Sequence, residues 1–240
     1  MQHGILGNEF GFLPKLATID AVYGQFEKDW YVANGASAES IRVIGHPRFD
    51  QALEKTTLTR NQFLKRLNLD KQKKILLLIV RGNRFAKKWQ LLIKQIKKLL
   101  DINIIIRDFP NDHKHVLQLK YPFIRSTNKL TLYEILQHVD VVVSYASTVV
   151  LEAMLVGKPV FVLQTTLPSY TGYYDQLTPF VQKDPTKLAS LIHLYFINAK
   201  WRNIAEKKRQ KFISYAYPDQ SSSGQRLLNL VEELSKGAKK

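Results

Sequence analysis

The sequence predicts a doubly wound α/β fold on a parallel sheet, and three observations carry that expectation. Residues 74–80 (KILLLIV), 141–143 and 160–163 are short apolar runs without polar alternation, and 102–108 reads as a further strand. Runs of this kind suit strands covered on both faces. Helical segments separate them, as in crossover units that keep successive strands parallel. Between residues 143 and 148 the chain turns at a hydroxyl-rich corner, SYAST. Open parallel sheets bind ligands at the carboxyl ends of their strands, where that corner falls.

Ser147 and Thr148 are good N-cap residues, so a helix should start there and run to about Val156, where Gly157 and Lys158-Pro159 stop it. A helix start with its dipole favours a phosphate. Glu152 lies one turn deeper than Thr148 on the same side. Taken alone, it reads as a surface carboxylate. Beside the hydroxyls, it is an acceptor for a ribose diol.

An apolar content of 45% with 11% aromatics excludes a disordered chain of 240 residues. Absence of cysteine excludes disulfides and thiolate metal sites and fits a reducing compartment. The first dozen residues lack the basic start of a signal peptide. The uncharged run at 141–151 is too short for a bilayer. A cytoplasmic, soluble protein is expected. The net charge of +16 implies attraction to polyanions. Lys87, Lys88, Lys94, Lys97 and Lys98 share a helix with Trp89, Leu92, Ile93, Ile96, Leu99 and Leu100, whose spacing packs one face. The lysine face reads as solvated, or as a docking face for anionic lipid at the inner side of a membrane.

Along the chain, three glycines surround the loop that opens with Gln2-His3-Gly4, which has no preceding strand to hold it. Short strands at 21–24 and 41–44 flank a helix at 26–34, too little for a complete sheet. Residues 51–68 read as a linker and a helix capped by Thr57 or Thr59. After the strand at 74–80, Arg81-Gly82-Asn83-Arg84 is equally a basic turn or a phosphate clamp, since arginine binds phosphate bidentately. Further helices are expected at 111–121, 132–138, 185–198, 201–215 and 227–235, with a weak edge strand at 124–125. The loop at 167–174 is rich in Tyr, Pro and Gly and suits a substrate face or plain packing. His3 has a near-neutral pKa suited to a base, although residue type alone favours an ordinary loop histidine. His113 and His115 read as solvent-facing, and the six histidines lack metal-site spacing.

Ser144 through Pro159 spell S-x-x-S-T-x-x-x-E-A-x-x-x-G-K-P. This resembles the donor-nucleotide motif of GT-B glycosyltransferases and of the related UDP-N-acetylglucosamine 2-epimerases. The resemblance implies that Ser144, Ser147 and Thr148 meet phosphates and Glu152 meets a ribose. The series Gln2-His3-Gly4, Tyr23-Gly24, Trp30, Gly35 and I-R-V-I-G-H-P-R-F-D at 41–50 resembles the end of the N-terminal half of bacterial surface-polysaccharide glycosyltransferases and CDP-glycerol glycerophosphotransferases. There it implies His3 as the catalytic base. Related chains often carry R-x-H-P; Arg107 and Pro110 match and Phe109 replaces the histidine, so that either Arg107 and neighbours such as His113 supply the phosphate contact or the activity is altered or absent. Of a D-G-x-x-x-x-R pattern, Asp219 matches, Gln220 stands at the glycine, and Arg226 lies one position beyond the arginine.

The resemblance implies two Rossmann-like parts: residues 1–55 as the trailing, acceptor-side part of an N-terminal half, and 56–240 as a GT-B-type nucleotide-donor domain. The expected activity is transfer of a sugar, or a polyol phosphate, from a nucleotide donor to a cell-surface polysaccharide precursor. Ser144, Ser147, Thr148 and Glu152 would hold the donor, with Arg81, Asn83 and Arg107 on the diphosphate and His3 as base. The expected partners are a nucleotide-sugar or CDP-polyol donor and a glycan or lipid-linked acceptor. No cofactor, metal or nucleic acid is expected. The alternatives are a UDP-sugar 2-epimerase and a truncated, non-catalytic nucleotide- or polyanion-binding module.

Overall fold

The computed structural model describes residues 1–107, 114–127, 129–166, 168–217 and 222–237. The chain divides into two compact units: Met1–Glu54 with Leu167–Tyr173 and Gln210–Lys240, and Lys55–Thr166 with Tyr174–Arg209.

The second unit holds a six-stranded parallel sheet. Its strands, numbered after β1 (Asp20–Val22) and β2 (Ile41–Val43) of the first unit, are β3 (Ile75–Ile79), β4 (Asn103–Arg107), β5 (Arg125–Ser126), β6 (Val141–Ser144), β7 (Val160–Leu163) and β8 (Val181–Gln182). The spatial order is β5-β4-β3-β6-β7-β8. The chain therefore starts at β3, winds outward through β4 and β5, then returns to the other side of β3. That reversal between β3 and β6 is the topological switch point, where such sheets open a crevice. Every residue of β3, β6 and β7 is buried, as the unalternating apolar runs predict. On one face, alternate residues Leu76, Leu78, Ile104, Ile106, Val141, Val143 and Phe161 meet Trp89, Leu92, Ile93 and Ile96 of α3 (Ala86–Leu99) and Leu188, Ala189 and Ile192 of α7 (Pro185–Ile197). Helix α6 (Thr148–Leu155) packs on β6 and β7.

Local caps explain the helix starts. Thr59, rather than Thr57, caps α2 (Arg60–Leu67) in a reciprocal box with Gln62. Thr131 does the same for α5 (Leu132–His138) with Glu134. Helix α4 (Val116–Lys120) is shorter than expected, because the His115 imidazole accepts from the Leu117 N–H and sets its start. Strand β8 was not legible: two residues carry no periodicity.

The first unit contains a two-stranded parallel pair, β1 (Asp20–Val22) and β2 (Ile41–Val43), bridged by α1 (Gln25–Ala33). The opening loop is held after all. Gln2 N–H donates to the Ala21 carbonyl, and the Gln2 side chain bonds Gly4, Tyr23 and Glu27.

The expected donor-side domain at 56–240 needs correction at its end, since residues 210–240 group with the first unit. Three contacts explain it. Gly24 lies so close to the Ala216 carbonyl, at the end of α8 (Ala199–Ala216), that a Cβ would overlap it. The Asp50 carboxylate accepts the Ser223 and Gly224 N–H groups at 2.9 and 3.0 Å. Arg226 donates to the Ile44 carbonyl at 2.8 Å. Asp50 thus caps α9 (Ser223–Gly237), which starts four residues before the expected 227.

Candidate donor-binding site

The switch point gathers the sequence-predicted residues of the second unit along one sheet edge. Ile79, the last residue of β3, is in register with Arg107 of β4 on one side and Ser144 of β6 on the other. Arg107, Ile79 and Ser144 therefore end three adjacent strands in one row. Arg81 and Asn83 follow β3 and are exposed. Their loop turns at Gly82, whose φ of +53° suits glycine. Gly82 is pinned by its carbonyl, 2.7 Å from Nε2 of His115. His115 is 2% exposed, so the expectation of a solvent-facing histidine is corrected: it anchors this loop while capping α4.

Beyond β6, Ser144 is buried and its Oγ lies 3.2 Å from Oγ of Ser147. Ser147 occupies the N-cap of α6, but its side chain makes no capping bond. The residue with the best capping chemistry at this corner leaves the cap unmade. Its carbonyl accepts from the Tyr174 hydroxyl at 2.7 Å, which fixes the corner's backbone. Thr148 opens the helix and is partly exposed.

Glu152 is 3% exposed, not a surface carboxylate. Its Oε2 accepts from the Tyr133 hydroxyl at 2.9 Å. Burial lowers the Arg107 pKa, an effect the Glu152 carboxylate partly offsets, and Arg107 donates to the Leu130 carbonyl at 2.8 Å. The structure thus links Arg107 and Glu152 electrostatically. Tyr133, Tyr174 and His115 were missed as supports. Tyr174 lay in the aromatic loop at 167–174, whereas nothing in the spacing of Tyr133 marks it.

Elsewhere, His3 is exposed and stacks on Phe12, with ring centroids 6.0 Å apart. Arg226 belongs to the first unit, where its guanidinium serves Ile44 and the Ser223 hydroxyl. Asp219, Phe109, Pro110 and His113 lie outside the described residues. Sequence reasoning also missed Glu27. This fully buried carboxylate accepts from Gln2 Nε2 at 3.1 Å and from the Gly24 N–H at 3.1 Å. Burial pushes its pKa up to about 7, against the hydrogen bonds from Gln2, its own backbone, Tyr173 and Gly24. Among the described residues, no helix is long and apolar enough to cross a membrane.

The lipid-A-disaccharide synthetase family model matches residues 24–168, more than half of the chain. The chain belongs to the lipid-A-disaccharide synthetase family. The match runs from the start of α1 through the whole β6–α6 corner, so the candidate edge lies inside the family's shared region. No curated protein sequence matches the chain significantly. Among solved structures, it is similar to the wall teichoic acid polymerase TagF, with a TM-score of 0.62 at 16% identity over 93% of this chain and 60% of that one. It is also similar to the UDP-GlcNAc 2-epimerase of Neisseria meningitidis bound to UDP-GlcNAc, with a TM-score of 0.69 at 15% identity over 94% of this chain and 67% of that one. For Anabaena HepE in complex with UDP and glucose the values are 0.59 and 14%, over 93% and 65%. At these identities the likeness shows the fold, a GT-B-type Rossmann-like α/β arrangement. The chain spans about three fifths of the length of the polymerase.

Proposed function

We propose that the second unit binds the nucleotide-activated donor of a glycosyl or polyol-phosphate transfer to a cell-surface polysaccharide precursor. The observation that carries this reading is the row Arg107–Ile79–Ser144 at the switch point, followed by Arg81 and by the Ser147 hydroxyl, which makes no capping bond and meets Ser144 at 3.2 Å. Cations and hydroxyls converge there on a sheet edge suited to phosphate.

In this reading, Ser144, Ser147 and Thr148 hydrogen-bond phosphate oxygens. Arg81 and Arg107 neutralise the diphosphate and Asn83 hydrogen-bonds it, easing departure of the nucleoside diphosphate as the glycosidic bond of a nucleotide-sugar breaks, or of the nucleoside monophosphate as the phosphoanhydride of a CDP-polyol breaks. Glu152, steadied by Tyr133, takes the ribose. His3 accepts the proton of the attacking acceptor hydroxyl. Proteins similar in fold were solved with UDP-GlcNAc and with UDP and glucose, which supports a nucleotide-sugar donor.

Calorimetric titration with UDP, CDP and GDP and their sugar or glycerol conjugates tests the reading. One base should bind, and Ser147→Ala with Arg81→Ala should weaken it. Absence of binding by every nucleotide would overturn it. The TM-score of 0.69 to the 2-epimerase favours a second reading, epimerisation of a UDP-sugar. Product analysis without an acceptor separates the two, because an epimerase needs none.

A further inference from the structure

We propose that the outer face of α3, together with α4 and the turn after it, is a docking surface for an anionic membrane. This inference does not rest on the nucleotide reading.

Helix α3 buries Trp89, Leu92, Ile93 and Ile96. On the opposite side, Lys87, Leu91, Lys94 and Lys98 follow one another at spacings of four, three and four and are all exposed, forming one stripe. The helix contains no acidic residue. Lys87, Lys94 and Lys98 pair with no described acidic residue, whereas Lys97 is engaged by Asp101 at 3.7 Å. A solvated helix face in a globular protein ordinarily interleaves both signs of charge; this one does not.

Helix α4 lies alongside. Lys120 Nζ donates to Gln90 Oε1 at 2.7 Å, and Lys97 Nζ sits 5.4 Å from the Phe123 ring centroid. These contacts set α4 and the following turn against the Gln90–Lys97 side of α3, next to the stripe; Leu119 and Phe123 there are 66% and 43% exposed, and Leu91 within the stripe is 40% exposed. Because α3 commits its inner face to the core, it cannot immerse itself in lipid. It can lie on headgroups, lysine stems outstretched, while Leu119 and Phe123 supply the apolar contact. Aliphatic side chains between lysines gain nothing from a nucleic-acid backbone, whereas the interface of an anionic bilayer takes both. Charge complementarity and these apolar residues point to the same occupant. The face begins one turn beyond the Arg81–Asn83 loop, so docking would hold that sheet edge near the headgroups.

The test is sedimentation with phosphatidylcholine vesicles, with and without phosphatidylglycerol, across a salt series. Binding should require phosphatidylglycerol and weaken with salt. Each lysine at an anionic surface is worth about a factor of five, so Lys87→Glu/Lys94→Glu/Lys98→Glu should lose at least about a hundredfold. Leu119→Ser/Phe123→Ser should lose several-fold with all charges kept. Both variants alter exposed side chains and should keep the wild-type melting temperature, checked by circular dichroism. Wild-type binding by the lysine variant would overturn the proposal. So would unchanged binding by the Leu119/Phe123 variant, or stripping of the protein from vesicles by a single-stranded oligonucleotide at equal phosphate concentration, which would mark a general polyanion surface.

Discussion

The carboxylate of Glu27 meets the side-chain amide of Gln2 at 3.1 Å inside the first unit, a neutral partner where a buried acid ordinarily finds a cation. Burial raises the Glu27 pKa from 4.5 to about 7. The folded state therefore binds a proton that the unfolded state has released between those values. Its stabilising contribution is complete below about pH 4.5 and is lost as pH rises through 7, a difference of up to about 3 kcal/mol. The melting temperature of the wild type, measured against Glu27→Gln, should fall across that window. A flat difference would show that Glu27 is not protonated in the fold.

The same anchor region predicts intolerance at Gly24. Its φ of −155° is ordinary, so strain is not the issue. Space is, because a Cβ would overlap the Ala216 carbonyl. Gly24→Ala should cost on the order of 3 kcal/mol and increase protease cleavage after residue 210.

Two hydroxyl deletions should behave oppositely. Thr131 caps α5, so Thr131→Ala should cost about 1 kcal/mol of stability and leave nucleotide affinity unchanged. Ser147 makes no capping bond. Ser147→Ala removes only the long hydrogen bond to Ser144, so it should cost no more than about 1 kcal/mol of stability while weakening nucleotide binding about tenfold, the worth of one hydrogen bond to a charged group. Paired denaturation and titration would settle both.

Arg107 and Glu152 should be coupled. Arg107→Gln and Glu152→Gln should each destabilise the second unit, and the double variant should cost less than their sum by about 1–2 kcal/mol. Additivity in a double-mutant cycle would show that the two charges do not sense each other.

The core of this fold was legible before any coordinates. KILLLIV, IIIR, VVVS and VFVL are short, β-branched or leucine-rich and without polar alternation, which suits strands buried on both faces. The helix start at Thr148 and its stop before Gly157 were equally local, since caps and glycine stops act over a few residues. The sequence by itself therefore determined a parallel α/β sheet and a hydroxyl-lined corner at its carboxyl edge. It could not place Arg107, Ile79 and Ser144 in one row, because strand order and register are decided by packing between segments far apart in the chain. Nor could it show that Tyr133 donates to Glu152, or that Asp50 caps a helix starting 173 residues later. These contacts join groups that sequence spacing does not relate. Only the tertiary structure brings them within hydrogen-bond reach, and it buries Glu27 and Glu152 where the charge pattern alone would have left them in water.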